Sequence, residues 1–144
     1  MTKIEYYLDI ALTVAKKSTC LKKHYGAVIV NGDEIVATGF NGPPRGEAHC
    51  TVCTKVQGAG DMDEYCSCPA VHAEQNAIIS ASRKEMVGAV LYLAGWDARL
   101  DREHINTQPC EICLRLIKNA GIARVINRTG LIYERTEDGI LRKV

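Results

Sequence analysis

The chain has 144 residues, of which 47% are hydrophobic and 24% are charged, a composition typical of a folded protein and not of a disordered one. Its 18 basic and 17 acidic side chains nearly cancel, which excludes a protein whose main partner is duplex nucleic acid, because such a protein carries a large positive excess. No apolar run approaches the ~20 residues of a membrane span, and Glu5 and Asp9 interrupt any stretch that could act as a signal peptide. We therefore expect one domain over residues 1–144, cytoplasmic and without a membrane partner.

Periodicity predicts a helix at the start of the chain, followed by a hairpin. Apolar residues at helical spacing indicate a helix over residues 4–17. A short β-branched run, 26–30, and the segment 34–40 flank Asn31-Gly32, which is a strong hairpin signal. The glycines and prolines of residues 41–46 then predict a loop.

The second half of the chain alternates helices with apolar strands. We predict a helix over 71–84, a strand over 89–94, a polar loop or short hairpin over 95–108, a helix over 109–120 that ends at Gly121, a strand over 122–127, and a weak strand or hairpin over 131–144. This order of elements implies an α/β fold, in which helices pack on a mixed sheet.

The seven cysteines are many for so short a chain. Their odd number, without an export signal, disfavours a disulfide framework and favours metal ligation in a reducing compartment. Four of them lie in residues 47–69, a segment with little periodicity and no residues that could build a core. A segment of that length in a compact domain needs a tether, and metal bound by thiolates would supply one.

Two motifs carry the residues with the most specific chemistry, His72-Ala73-Glu74 and Pro109-Cys110-Glu111-Ile112-Cys113. Each begins a predicted helix, and Cys110 and Cys113 are three residues apart, on one face of a first turn. With His72 they would make three protein ligands and leave a fourth tetrahedral position open, as a catalytic zinc requires. The alternative is a histidine at a helix start and an unrelated pair of half-buried cysteines, which the coincidence of the two motifs disfavours.

Glu74 lies two residues after the predicted ligand His72 and need not bind metal itself. Beside a metal-bound water it could act as general acid and base. The alternative is a carboxylate that only complements the positive end of the helix dipole. That dipole also favours two anionic thiolates at the start of the other helix, because it lowers the pKa of a thiol.

Longer stretches of sequence around these motifs indicate one family more specifically. They are Ser18-Thr19-Cys20, the runs 25–30 and 38–46, His49-Cys50 and the run 72–78. Together with the general H-x-E…P-C-x-x-C pattern of zinc nucleobase deaminases, they resemble deoxycytidylate deaminases, including the competence-operon relatives of bacteria. The resemblance covers residues 5–128. It implies a three-layer α/β/α cytidine-deaminase-like fold with a mixed central sheet, and the hydrolysis of dCMP to dUMP and ammonia, a reaction that feeds thymidylate synthesis.

The resemblance also assigns roles to single residues. It makes His72, Cys110 and Cys113 the ligands of the catalytic zinc, and Glu74 the proton shuttle. It further implies three substrate contacts: the backbone of Ala73 with the pyrimidine, Asn41 with the sugar and Arg83 with the 5′-phosphate. Without the resemblance, Arg83 would be interpreted as a solvated cation late in a helix.

A second, structural zinc is implied by the same resemblance, with Cys20, Cys50, Cys53 and Cys68 as ligands. Cys53 follows Cys50 at a shorter spacing than in the family, so Cys66 and His49 are alternatives for the fourth ligand. The insert at 96–108 is a second departure from the family pattern. Relatives further imply a homo-oligomer, and dCTP and dTTP as effectors, with loop 42–46 taking part in binding a nucleoside triphosphate.

Two alternatives of different kinds remain. One is another zinc deaminase, acting on cytidine, guanine, a riboflavin precursor or tRNA adenosine; the last of these is disfavoured by the near-zero net charge. The other is a non-catalytic binding module stabilised by zinc. Such a module would explain the cysteines, but it would require neither Glu74 nor a three-ligand open site.

Overall fold

The computed structural model describes residues 1–53 and 68–144. In these residues the helices are α1 (Lys3–Ala15), α2 (Ala73–Ile79), α3 (Arg83–Met86) and α4 (Glu111–Ala120). The strands are β1 (Lys23–Asn31), β2 (Glu34–Phe40), β3 (Val90–Asp97), β4 (Arg102–Glu103), β5 (Arg124–Asn127), β6 (Gly130–Arg135) and β7 (Leu141–Lys143). None of the helices in the described part of the chain combines the length and hydropathy needed to span a bilayer.

The strands of the described residues form one seven-stranded sheet, in the order β2-β1-β3-β5-β6-β7, with β4 paired to β3 off this path. The pair β3–β5 is parallel, and the other pairs are antiparallel. The connection between β3 and β5 runs through α4, as a parallel crossover requires. The mixed sheet with packed helices confirms the predicted α/β fold.

Helices cover both faces of this sheet, and β1 shows why. Successive side chains of a strand point to opposite faces, and residues Ala27 to Val30 are all buried. Val28 and Val30 pack in a core with Leu8 of α1, whereas Ala27 and Ile29 pack in a second core with residues of α2 and α4. The continuous apolar run in β1 is therefore the signature of a strand buried on both sides, and it confirms the three layers.

Helix α2 lies unusually close to β2. A Cβ atom on Gly39 would come within 2.4 Å of the Ala73 carbonyl oxygen and of the Ala77 nitrogen. Only a residue without a side chain allows this approach. The first turn of α2, which follows His72, is thereby held directly against the sheet.

The hairpin between β1 and β2 turns one residue later than its Asn31-Gly32 signal indicates. Asn31 is paired with Glu34, which leaves Gly32 and Asp33 as the two turn residues. Their φ angles are 57° and 64°, as a type I′ turn requires. Asp33 tolerates this left-handed backbone because its short polar side chain can bond locally.

The prediction of one continuous helix over 71–84 is wrong, because the segment contains two helices. Ser80 ends α2, and Ser82 begins α3 with a capping box: its hydroxyl accepts from the Glu85 amide, and the Glu85 carboxylate accepts from the Ser82 amide. Such reciprocal bonds start a new helix. Elsewhere, the short-hairpin alternative for 95–108 is confirmed by β4, and Gly121 ends α4 with a φ of 85°, as predicted.

Candidate functional site

Two helix starts form the centre of the site. His72 is the N-cap residue of α2, and its amide donates to Gln75 Oε1 at 2.8 Å. Cys110 is the N-cap residue of α4, and its sulfur accepts from the Cys113 amide at 3.4 Å. Both helices pack on the same face of the sheet, so the positive ends of two helix dipoles meet at one point.

A buried network fixes the loop that leads to Cys110. Thr107 is 0% exposed, and its hydroxyl donates to the Leu93 carbonyl of β3 at 3.0 Å. Asn127, at the end of β5 and also 0% exposed, donates to the Thr107 carbonyl at 2.7 Å. Because both partners belong to central strands, the sheet itself sets the position of this helix start.

The structure brings His72, Cys110 and Cys113 together, as the sequence predicts. His72 Nδ1 lies 3.5 Å from Cys110 Sγ and 3.3 Å from Cys113 Sγ, and all three ligand atoms lie within 4.8 Å of one another. Tetrahedral zinc with its usual bond lengths would hold such nitrogen and sulfur donors about 3.6 Å apart. The donor set therefore fits zinc in both chemistry and spacing, and no other set of three such ligands is this close in residues 1–53 and 68–144.

Glu74 is buried beside these donors, at 5% exposure. Burial raises the pKa of the Glu74 carboxyl to about 7, against the lowering effect of hydrogen bonds from its own backbone and from the Cys113 thiol. Burial, Glu74 and Cys110 all raise the pKa of the Cys113 thiol. The Cys113 thiol and the Glu74 carboxyl thus resist ionisation at this buried point, and a bound divalent cation would reverse that preference.

One cavity of about 230 Å³ opens onto this centre. Its lining includes His72, Glu74 and Cys110, and it also includes Lys22, Lys23, Tyr25, Asn41, Leu93, Gln108, Cys20, Cys53, Cys68 and Ala70. Sequence reasoning did not single out Lys22, Lys23 or Tyr25 as site residues. The predicted strand covers 26–30, whereas β1 begins at Lys23, so the alternation of the predicted strand does not extend to these residues.

Two residues with implied substrate contacts lie in this region. Ala73 is fully buried in the first turn of α2. Asn41 is 6% exposed and lines the cavity, and its amide binds the backbone of β1: Oδ1 accepts from the Tyr25 amide at 2.8 Å, and Nδ2 donates to the Lys23 carbonyl at 3.0 Å. Asn41 thus fixes the shape of one cavity wall.

Arg83 lies elsewhere. It is the first residue of α3 and is exposed. Its guanidinium donates to the Asn119 carbonyl, near the end of α4, at 2.9 Å. Arg83 is not part of the cavity lining, because the break between α2 and α3 turns the chain away after Ser80.

A second cavity, of about 220 Å³, adjoins the first and is lined by Cys20, Cys50, Cys53 and Cys68. Burial raises the pKa of the Cys50 thiol, and the other three thiols raise it further. The four cysteines are thus neighbours, although their sulfur atoms do not form a group as close as the His72 donors. His49 Nδ1 pairs with the Thr19 hydroxyl at 2.7 Å, and Cys66 lies outside the described residues.

Comparisons with known proteins agree with this geometry. A family model for the cytidine and deoxycytidylate deaminase zinc-binding region matches residues 1–129. The deoxycytidylate deaminase of Mycobacterium phage D29 is 36% identical over 128 residues, which cover 85% of this chain and 91% of the relative. The deoxycytidylate deaminase of Homo sapiens is 32% identical over 136 residues, 92% of this chain and 68% of the relative. A crystal structure of the dCMP deaminase from cyanophage S-TIM5 in complex with dCMP and dUMP superposes with a TM-score of 0.61 at 25% identity, covering 88% and 82% of the two chains.

Proposed function

The chain belongs to the cytidine and deoxycytidylate deaminase family, and on that premise we propose that it hydrolyses dCMP to dUMP and ammonia. The observation that carries the proposal is the combination, in one cavity, of three zinc-type donors with the buried carboxyl of Glu74. Relatives named deoxycytidylate deaminase align over most of the chain. A non-catalytic zinc module would need no buried carboxyl beside an open donor set.

His72, Cys110 and Cys113 are the proposed ligands of the catalytic zinc. When bound, zinc supplies a Lewis acid that makes a water molecule a stronger acid and a better nucleophile near neutral pH. The two thiolates of the chain offset the double charge of the ion, and the imidazole adds none. Three protein donors leave room for one further ligand at the cavity side.

Glu74 is the proposed general acid and base. In the hydrolysis, a water oxygen bonds to C4 of the cytosine, the C4–N bond breaks, and ammonia leaves. One proton of the water must end on ring N3 and the other on the departing amine. A carboxylate oxygen of Glu74 can carry both protons in turn, because the side chain lies at the donor centre and burial keeps solvent from competing for them.

The substrate would lie between the donor centre and the wall formed by β1. Ala73 faces the pyrimidine in this proposal, which its position in the first turn of α2 supports. Asn41 would contact the sugar through the hydrogen-bonding capacity of its side-chain amide that the bonds to Tyr25 and Lys23 do not use. The position of Arg83, outside the cavity, gives no support to its implied contact with the phosphate.

A second, structural zinc held by Cys20, Cys50, Cys53 and Cys68 is also proposed. Its support is that all four thiols line one cavity and influence one another electrostatically. Four thiolates make a closed tetrahedral site, which stabilises a fold without taking part in chemistry. Such ligands must stay reduced, which fits the proposed location in the cytoplasm.

Regulation by dCTP and dTTP, and assembly into a homo-oligomer, complete the proposal. Gly42, at the start of the 42–46 loop implied in effector binding, exchanges two backbone hydrogen bonds with Val71, at 2.7 and 3.1 Å. Val71 precedes the ligand His72. A nucleotide bound at this loop would therefore act on the donor centre through the two hydrogen bonds between Gly42 and Val71.

The proposed homo-oligomer is tested by light scattering of the purified protein, with and without each nucleotide, which measures the assembly directly.

The decisive experiment is ammonia release by the purified, zinc-loaded protein from dCMP, CMP, deoxycytidine and dCTP. We expect dCMP to be the best substrate. Glu74→Gln should keep the zinc and the unfolding temperature and lose about 10²- to 10⁴-fold in turnover. Glu111→Gln, which changes an exposed carboxylate at the other helix start, is the matched control and should stay active. Release of no ammonia from any of the four compounds refutes the proposed function, and near-normal turnover of Glu74→Gln refutes the role of that residue.

A further inference from the structure

Among the described residues that line the cavity, two have cationic side chains, and neither belongs to the metal centre. They are Lys22 and Lys23, which are both half-buried at the start of β1. In the described part of the lining, the other charged or metal-binding residues are three cysteines of the second group, His72, Cys110 and Glu74. The cavity therefore pairs a metal centre with a separate positively charged region.

The geometry of β1 separates these two regions. Lys23 and Tyr25 share one face of the strand and are about 7 Å apart along it. Burial, and then the charges of Glu74, Cys20 and Asp97, raise the pKa of Tyr25 to about 12, so Tyr25 lies between Glu74 and the start of β1, where Asp97 faces Lys23. Lys23 is two residues closer to the beginning of the strand. A ligand whose reacting ring meets Glu74 would thus direct its far end towards the lysines.

Neither ammonium group forms a direct ion pair with a carboxylate of the described residues. No ion pair within 4.0 Å involves Lys22 or Lys23 in residues 1–53 and 68–144. Asp97 faces Lys23 across the β1–β3 pair, but one of its carboxylate oxygens, Oδ1, accepts from the amides of Arg99 and Leu100, both at 3.0 Å. Hydrogen bonds from Leu100 and Arg99 lower the pKa of Asp97, and the charge of Lys23 lowers it further. Asp97 is therefore within electrostatic reach of Lys23, although it closes the β3–β4 turn and forms no ion pair with this lysine.

From these observations we propose that Lys22 and Lys23 bind the 5′-phosphate of the nucleotide and select it over the nucleoside. The inference rests on the proposed function and adds the residues that determine its specificity. It also departs from the resemblance, which assigns this role to Arg83. An ammonium group on a flexible stem suits a phosphate as a point charge, and two of them match the double charge of a phosphate monoester near neutral pH.

The test compares kcat/KM for dCMP and for deoxycytidine in the zinc-loaded enzyme. The double variant Lys22→Met, Lys23→Met keeps the aliphatic stems and removes the charges. We expect its kcat/KM for dCMP to fall by about 10- to 100-fold, the range for loss of a charge-assisted contact. The value for deoxycytidine, which has no phosphate, should change by less than about threefold. Lys23→Arg should retain much of the preference.

Two further variants separate the lysines from other cations. Lys84→Met removes an exposed charge on α3, outside both cavities, and serves as the matched control with an unchanged substrate preference. Arg83→Met tests the residue that the resemblance implies. A large loss on dCMP in Arg83→Met, with the preference kept in the lysine double variant, overturns the proposal. Equal losses on dCMP and deoxycytidine in the double variant also overturn it, as does a wild-type enzyme that prefers deoxycytidine.

A binding measurement keeps this inference apart from the proposed function. Titration calorimetry with dUMP and with deoxyuridine needs no turnover. If the wild type releases no ammonia from any cytosine substrate, the proposed function fails, and the lysine proposal is still decided: tighter binding of dUMP than of deoxyuridine, lost in the double variant, supports it. Equal binding of dUMP by wild type and double variant overturns it. Zinc content and unfolding temperature, measured on every variant, show that the fold is intact.

Discussion

The close approach of α2 to β2 gives the most direct test of how the sheet positions the donor centre. In Gly39→Ala, the new Cβ would lie 2.4 Å from the Ala73 carbonyl and from the Ala77 nitrogen, whereas ordinary contact begins at 3.4 Å. The difference, 3.4 − 2.4, is 1.0 Å, and both contacting atoms are backbone. The helix start must therefore shift by about 1 Å, several times the tolerance of about 0.2 Å in metal–ligand distances.

We expect two consequences of this shift. Overpacking of a well-packed interface should lower the free energy of unfolding by about 1–3 kcal/mol. The movement of His72 relative to Cys110 and Cys113 should weaken zinc binding by about 10- to 100-fold, as other changes around metal sites do. Competition with a chromophoric chelator measures the zinc affinity, and thermal unfolding of the metal-loaded and metal-free protein measures the stability.

Gly42→Ala is the matched control, because a Cβ atom there would meet nothing within 4 Å and the backbone needs no positive φ. This variant should keep both the zinc affinity and the stability of the parent. If Gly39→Ala binds zinc as tightly as Gly42→Ala, the position of α2 on β2 does not determine the donor geometry, and the reasoning is refuted.

Two further predictions concern the metals and the buried network. Elemental analysis of protein purified without added metal should give close to two zinc ions per chain. The double variant Cys50→Ser, Cys68→Ser should contain close to one zinc ion per chain and unfold at a lower temperature. One zinc ion per chain in both proteins would refute the structural site. Asn127→Ala should cost about 1–3 kcal/mol for the buried Thr107 carbonyl that loses its partner and should weaken zinc binding as well, because that carbonyl belongs to the loop before Cys110. Asn106→Ala, an exposed change in the same loop, is its control, and equal stability of the two variants would contradict the prediction.

The donor centre was predictable because each half of it is local. His72 with Glu74, and Cys110 with Cys113, are set by spacing within a first helical turn, and only the meeting of the two turns depends on the fold. The layered α/β arrangement followed from the same periodicity, since the apolar run in β1 can be buried only between two layers of helices.

What escaped prediction depends on contacts between distant parts of the chain. The break between α2 and α3 follows from a capping box at Ser82, a local signal that the apolar periodicity of the segment masks. The position of Arg83 outside the cavity lining follows from that break. Lys22 and Lys23 enter the cavity because Asn41, 18 residues after Lys23, holds the backbone of β1 in place, and no spacing rule reports such a contact.

Three cysteines lie between the two cavities, and chemical modification of their thiols would affect the substrate cavity. Cys20, Cys53 and Cys68 line both spaces, so a group attached to one of these sulfur atoms would protrude into the volume where substrate is expected. A small alkylating reagent could then block turnover while leaving Cys110 and Cys113 unmodified. Mass spectrometry of the labelled peptides, together with protection by dUMP, would distinguish a blocked substrate cavity from a lost ligand of the catalytic zinc. For the same reason, the redox state of these three thiols during purification bears on any measured activity.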